Sequence, residues 1–126
     1  MRNLELGKHF LVELTDCDRQ IIDDEIELRL LLLTAVGLSG ARIISDSFHK
    51  FSPQGVTGVV IIAESHVALH TWPEHNYVAC DIFTCSARMN VELLISHLHK
   101  MLGAHEVFVG EFSRGPKAIS KLVSRF

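Results

Sequence analysis

Between Val59 and His75 the sequence reads VVIIAESHVALHTWPEH, an apolar run broken by an acid, a hydroxyl and two imidazoles: Glu64, Ser65, His66 and His70. Two chemistries could use such a set. Ser65 as a nucleophile needs a base and an orienting acid. His66 and His70 are potential proton-transfer partners, because imidazole titrates nearest neutrality. The nucleophile-elbow pattern G-x-S-x-G is absent. Metal binding is the other candidate. His66, His70 and Glu74 recur every fourth residue and would share one face of a helix.

The elements that must carry these residues weigh against the helix. Val59, Val60, Ile61, Ile62 and Val67 are β-branched, and Pro73 would interrupt a last turn. On a strand, His66 and His70 share a face and Ser65 points to the other. Contact between Ser65 and His70 therefore demands a bend, a bulge or a chain break near residues 64–66.

The surrounding chain reads as alternating elements. Residues 8–16, KHFLVELTD, predict a first strand. Asp18 is placed to cap one helix over 19–38, in which Ile22, Ile26, Leu30 and Leu33 recur at helical spacing, with Leu28, Leu31 and Leu32 widening the stripe. Gly37 and Gly40 supply stop signals, and the helix is expected to pack deeply on a sheet. Residues 41–51 and 56–64 predict a hairpin around SPQG, and 66–72 and 76–85 two more strands separated by PEH. Asn90 is placed to cap VELLISHLHKML, and 105–112 predict a last strand. The order β-α-β-β followed by β-β-α-β, with only two long helices, implies an α+β two-layer sandwich: an antiparallel sheet with helices on one face. The tail 113–126 is expected to be peripheral.

A chain of 126 residues, 48% apolar and 21% charged, has the size and composition of one globular domain. No stretch reaches the roughly 18 apolar residues of a membrane span. The N-terminus lacks the pattern of a secretory signal, so a cytoplasmic location is expected. Net charge is −3 with dispersed Lys and Arg, which gives no footprint for nucleic acid. Cys17, Cys80 and Cys85 form no CxxC pair, against both a disulfide framework and a zinc knuckle. No metal is expected.

Residues 48–85, FHKFSPQGVTGVVIIAESHVALHTWPEHNYVACDIFTC, closely resemble the core of the short prokaryotic S-adenosylmethionine decarboxylases, which depend on a pyruvoyl group. The most specific part is E-S-H-x-x-x-H-T-W-P-E followed by a cysteine near the end of the next strand. GKHFLVELTDCD and VFVGEFSRG extend the resemblance more weakly. The resemblance implies self-cleavage. Ser65 Oγ attacks the Glu64 carbonyl and converts the peptide to an ester. β-Elimination then releases Glu64 as the end of a chain 1–64. The dehydroalanine left at 65 tautomerises and hydrolyses to ammonia and a pyruvoyl group at the head of a chain 65–126. A cut at 64/65 would also free position 65 to turn toward His70.

The pyruvoyl ketone forms a Schiff base with a substrate amine and accepts electrons as carbon dioxide leaves, the electron-sink role that pyridoxal phosphate plays elsewhere. By resemblance His70 transfers protons during processing and Cys85 donates the proton in turnover; an ordinary thiol, with a pKa of about 8.5, is mostly protonated at neutral pH. Thr57 stands where relatives usually carry a serine that aids processing, and Ala63 where they often carry serine. Phe51 aligns with an aromatic that stacks on adenine and Glu74 with a carboxylate that binds the ribose hydroxyls. By the same resemblance His66, Trp72, Glu111 and Arg114 are expected to line or support the site, without assigned roles. The implied partners are S-adenosylmethionine as substrate, on the way to spermidine, and a second processed protomer in a homodimer. The competing readings are a pyruvoyl-dependent arginine or ornithine decarboxylase and an unprocessed, non-catalytic regulatory homologue.

Overall fold

A computed structural model describes residues 4–63 and 65–119. Six strands, β1 (Gly7–Thr15), β2 (Ile43–Lys50), β3 (Val56–Ile62), β4 (Ser65–Trp72), β5 (Tyr77–Thr84) and β6 (Glu106–Arg114), form one sheet in the order β2-β3-β4-β5-β1-β6. Every neighbouring pair is antiparallel. The expected α+β sandwich is what the chain forms. Local hairpins build β2 through β5, whereas β1 is inserted beside β5 from far along the chain, and β6 returns to its outer edge.

Strand periodicity sorts the sheet into two faces. Val12 and Leu14, Val60 and Ile62, Val67 and Leu69, and Val78, Cys80 and Ile82 are buried in one apolar cluster with Leu28, Leu32, Ala35, Val36, Leu94, Leu98 and Leu102 from the helices. The alternate residues form the other face. Leu11, Ile61, Trp72 and Phe108 are exposed there, and among the described residues no helix covers it. Gly58 shows how tight the covered face is: the Phe48 ring lies over it, and a Cβ would clash with that ring.

The helical stretch after Asp18 departs from the expected single helix. It is α1 (Arg19–Ile22), capped by Asp18 through the backbone N–H groups of Gln20 and Ile21, and then α2 (Glu25–Leu38), capped afresh by Asp24 through Glu27 N–H. Two capping aspartates compete for one run, and the break at Asp23 resets the helical phase. The buried stripe of α2 is therefore Leu28, Leu32, Ala35 and Val36, while Ile26 is 80% and Leu30 66% exposed. The helix packs on the sheet by a different face from the one the Ile26–Leu30 spacing implied. Gly37 lies inside α2, and Gly40, at φ 90°, takes the left-handed position after it. Helix α3 (Val91–Met101) has Asn90 at its N-cap as expected. No helix of the described residues is long and apolar enough to cross a membrane.

Candidate active site

The uncovered face carries polar groups at both ends of β4. At its far end, Thr57 of β3 and His70 of β4 are direct cross-strand partners, and Thr57 Oγ1 lies 3.1 Å from His70 Nδ1. With the ring proton on Nε2 the threonine hydroxyl donates to Nδ1; with the proton on Nδ1 the ring donates to the hydroxyl. Either state holds the imidazole in place. Phe51, Gln54, Trp72 and Glu74 join this pair around a cavity of about 300 Å³.

Local rules explain why these side chains converge. Phe51 follows the last residue of β2, and its N–H donates to Gly55 O at 2.8 Å, closing the turn that begins β3. Gly55 adopts φ 100°, where a side chain would be strained, and a Cβ would stand 3.2 Å from Thr71 O. Thr71 itself is buried, and its hydroxyl accepts from Val56 N–H at 2.9 Å. Pro73–His75 form one 3-10 turn that ends at Asn76 in the left-handed region, presenting exposed Glu74 beside Trp72.

The near end of β4 holds the other predicted residues. Ser65 opens the strand opposite Ile62, and the alternation of β4 puts its side chain on the helix-covered face with Val67 and Leu69, opposite to His66 and His70. The register of β4 on β5, in which His66 faces Phe83, sets Thr84 beside Ser65. Cys85 follows β5 directly and is exposed. Ser65 Oγ is buried and has no hydrogen-bond partner among the described residues. Glu64 lies outside the described residues. Cys17 and Cys80 differ in kind from Cys85: burial pushes their thiols up to about 11 and about 12 respectively, so both stay protonated and unreactive.

Sequence reasoning passed over one residue here, His9. It occupies the β1 position opposite Phe83, within 6.4 Å of His66 centroid to centroid. Arg114, aligned on β6, reaches His9 Nδ1 at 2.9 Å. A guanidinium can only donate, so Nδ1 is the unprotonated nitrogen and the proton sits on Nε2. That Nε2 is buried and finds no partner among the described residues. Burial lowers the His9 pKa, Asp81 opposes the shift, and Arg114 and His66 add to it. His66 stacks on Phe83 at 5.9 Å, with Arg114 over the same ring at 5.3 Å. The signal in the sequence was only the alternation of His9 with Leu11 and Glu13. Nothing local announces that β1 inserts beside β5. Of the other supporting residues, Trp72 stands by His70 with rings 6.4 Å apart, whereas Glu111 pairs with Lys8 at 3.3 Å on the helix-covered face.

The chain thus gathers Thr57, His70, Phe51 and Glu74 at one end and Ser65 and Cys85 at the other. Strand β4 keeps an unbroken register from Ser65 to Trp72, and five residues of strand separate Ser65 from His70 by about 17 Å. No bend at residues 65–66 closes that gap within one chain. Among the described residues no group of three metal-ligating side chains forms.

The family model of S-adenosylmethionine decarboxylase matches residues 8–115. A Methanococcus vannielii protein described as S-adenosylmethionine decarboxylase proenzyme is 42% identical over 120 residues, covering 95% of this chain and 98% of that one. A Thermotoga maritima protein of the same description is 43% identical over 110 residues, 87% and 85% of the two chains. The solved adenosylmethionine decarboxylase of Aquifex aeolicus superposes with a TM-score of 0.81 at 32% identity, covering 89% of this chain and 92% of that one. Trypanosoma brucei AdoMetDC superposes with a TM-score of 0.64 at 13% identity, over 83% of this chain and 45% of its own, a likeness of fold alone.

Proposed function

The chain belongs to the S-adenosylmethionine decarboxylase family and is a carboxy-lyase; from that premise we propose that it cuts itself between Glu64 and Ser65 and decarboxylates S-adenosylmethionine with the pyruvoyl group that Ser65 becomes. The observation that carries this reading is the Ser65 hydroxyl, buried without a hydrogen-bond partner among the described residues at the first position of a strand. Leaving such a group unsatisfied costs on the order of 1–3 kcal/mol. A nucleophile kept unsolvated beside the peptide bond it attacks gives that cost a use.

The pyruvoyl group supplies a ketone that takes up the substrate amine and accepts electrons as carbon dioxide departs. The chain's own residues do the rest. Ser65 Oγ attacks the Glu64 carbonyl, and His70, held by Thr57, moves the proton in processing. Cys85, exposed just past β5, donates a proton to the substrate carbon after carbon dioxide has left. Phe51 offers a ring face to the adenine and Glu74 two carboxylate oxygens to the ribose hydroxyls.

Since one chain holds these groups about 17 Å apart, the working unit is a homodimer. Two copies packed by their uncovered faces about a two-fold axis lying across the strands would bring the end of β4 that carries residue 65, freed from strand parity by the cut, and Cys85 of one protomer over the partner's His70 and Thr57. Exposed Leu11, Ile61, Trp72 and Phe108 on that face favour burial against a second apolar surface.

Denaturing mass spectrometry tests the cleavage. Fragments 1–64 and 65–126 are expected, the second lighter by the conversion of an N-terminal Ser to pyruvoyl; only intact chain would sink the proposal. Reductive trapping with S-adenosylmethionine, arginine and ornithine in parallel tests the substrate. Trapping confined to arginine or ornithine would overturn the choice.

A further inference from the structure

The turn that carries Phe51 is tied to a part of the chain remote in sequence. Asp23 lies in the break between α1 and α2. Its Oδ1 accepts from Lys50 Nζ at 2.6 Å and from Gly55 N–H at 2.8 Å. Lys50 ends β2 immediately before Phe51, and Gly55 precedes β3, so one carboxylate oxygen grips both ends of the turn 51–54. Neither helix needs that carboxylate. Helix α1 is capped at its start by Asp18 and α2 by Asp24, and the Asp23 contribution at the end of α1 is made by its backbone N–H.

We propose that Asp23 is a positioning residue for substrate binding, acting through the turn 51–55 to hold Phe51 in place over the cavity it shares with Thr57, His70 and Glu74. The proposal rests on the reading of Phe51 as the adenine-stacking ring. Phe51 is 48% exposed and meets His49 edge-on at 4.6 Å, so core packing does little to fix it. Restraint has to come from the backbone. A side chain ordered before binding does not charge its ordering entropy to the complex, and that restraint appears in affinity rather than in the chemical step. The Lys50 ammonium first, and the Gly55 N–H second, hold the Asp23 carboxyl below the usual carboxylate range. The clamp is therefore charged throughout neutral pH.

Three measurements on the self-cleaved, full-length protein test this. Asp23→Ala is expected to raise KM for S-adenosylmethionine about tenfold while kcat and the cleaved fraction stay the same. Asp23→Asn, which keeps an oxygen for Gly55 N–H, should recover part of the loss. In the double variant Asp23→Ala/Phe51→Ala the KM should match that of Phe51→Ala alone, because one residue acts through the other. Lys50→Met provides a second way to loosen the clamp should Asp23→Ala fail to fold. The proposal is overturned if Phe51→Ala raises KM and Asp23→Ala does not, or if the two effects add in full. Amide exchange at Gly55 separates the two modes of failure. Faster exchange in Asp23→Ala, with KM indifferent to Phe51→Ala, would confirm the clamp on the turn and sink the reading of Phe51 as the adenine platform. Unchanged exchange overturns the clamp itself.

Discussion

The two ends of β4 are built in opposite ways. At the His70 end the polar groups are matched: Thr57 with His70, Thr71 with Val56 N–H, and Asp23 with Lys50 and Gly55. At the Ser65 end two buried polar atoms, Ser65 Oγ and His9 Nε2, have no partner among the described residues. Matched networks fix geometry, whereas unmatched buried groups hold free energy that only a new partner or a reaction can release. On the proposed function the His70 end is a preformed receptor, and the Ser65 end a reactive terminus whose partners come from cleavage, substrate or a second protomer.

The sharpest way to break that comparison is to disable each end in a different copy. Ser65→Ala should abolish cleavage and activity together, and His70→Ala should remain uncleaved by itself. Unfolded together and refolded as a mixture, the two should yield fragments 1–64 and 65–126 from the His70→Ala chain alone, since the Ser65→Ala copies bring an intact His70. Mass spectrometry resolves the two chains. No cleavage in the mixture, or cleavage of His70→Ala without its partner, would show that the ends do not meet across a dimer.

Next in size is Cys85→Ala, which should cleave normally and then lose turnover by at least about a hundredfold, the range of a missing general acid. Loss of cleavage instead would move Cys85 from turnover into processing. Thr57→Val should slow cleavage by about tenfold, the worth of one hydrogen bond to His70, with Thr57→Ser close to the parent, as followed by the time course of fragment appearance. Equal rates for Thr57→Val and the parent would mean that His70 needs no such anchor.

How far the sequence disclosed this arrangement depends on whether the governing contact was local. The strands announced themselves by alternation, Asn90 by its place before an apolar repeat, and the α+β sandwich by element order. Local rules also put Phe51, Gly55 and Thr57 in one hairpin and His70 on the next strand. The helix after Asp18 misled because two caps six residues apart, Asp18 and Asp24, both fit, and only packing chose the phase that buries Leu28 and Leu32 and exposes Ile26 and Leu30. Parity showed that contact between Ser65 and His70 needs a bend, a bulge or a chain break near residues 64–66, but not that an unbroken β4 register from Ser65 onward would leave the two about 17 Å apart within one chain. What stayed hidden was long-range: His9 against Phe83, through the insertion of β1, and Asp23 on Gly55. Neither leaves a pattern within a window of the chain.

The smallest effect concerns His9, and it tests whether the Ser65 end is strained as well as reactive. Its folded pKa lies below the ordinary imidazole value of 6.5, chiefly through burial. Below pH 6.5 the unfolded chain therefore binds a proton that the folded chain resists. Stability is expected to be complete above that pH and to decline as pH falls toward the lowered folded value, because the unfolded state binds more protons. His9→Gln, which keeps a nitrogen donor but does not titrate, should flatten that part of the profile. The measurement is urea denaturation of the uncleaved Ser65→Ala protein at steps from about pH 7.5 to about 5, a form in which cleavage cannot blur a two-state transition. Parallel slopes with and without the His9→Gln substitution would assign the acid sensitivity to other histidines and leave the orphaned Nε2 without energetic consequence. A flattened slope would mark it as part of the same unsatisfied terminus as Ser65, set apart from the matched network around His70.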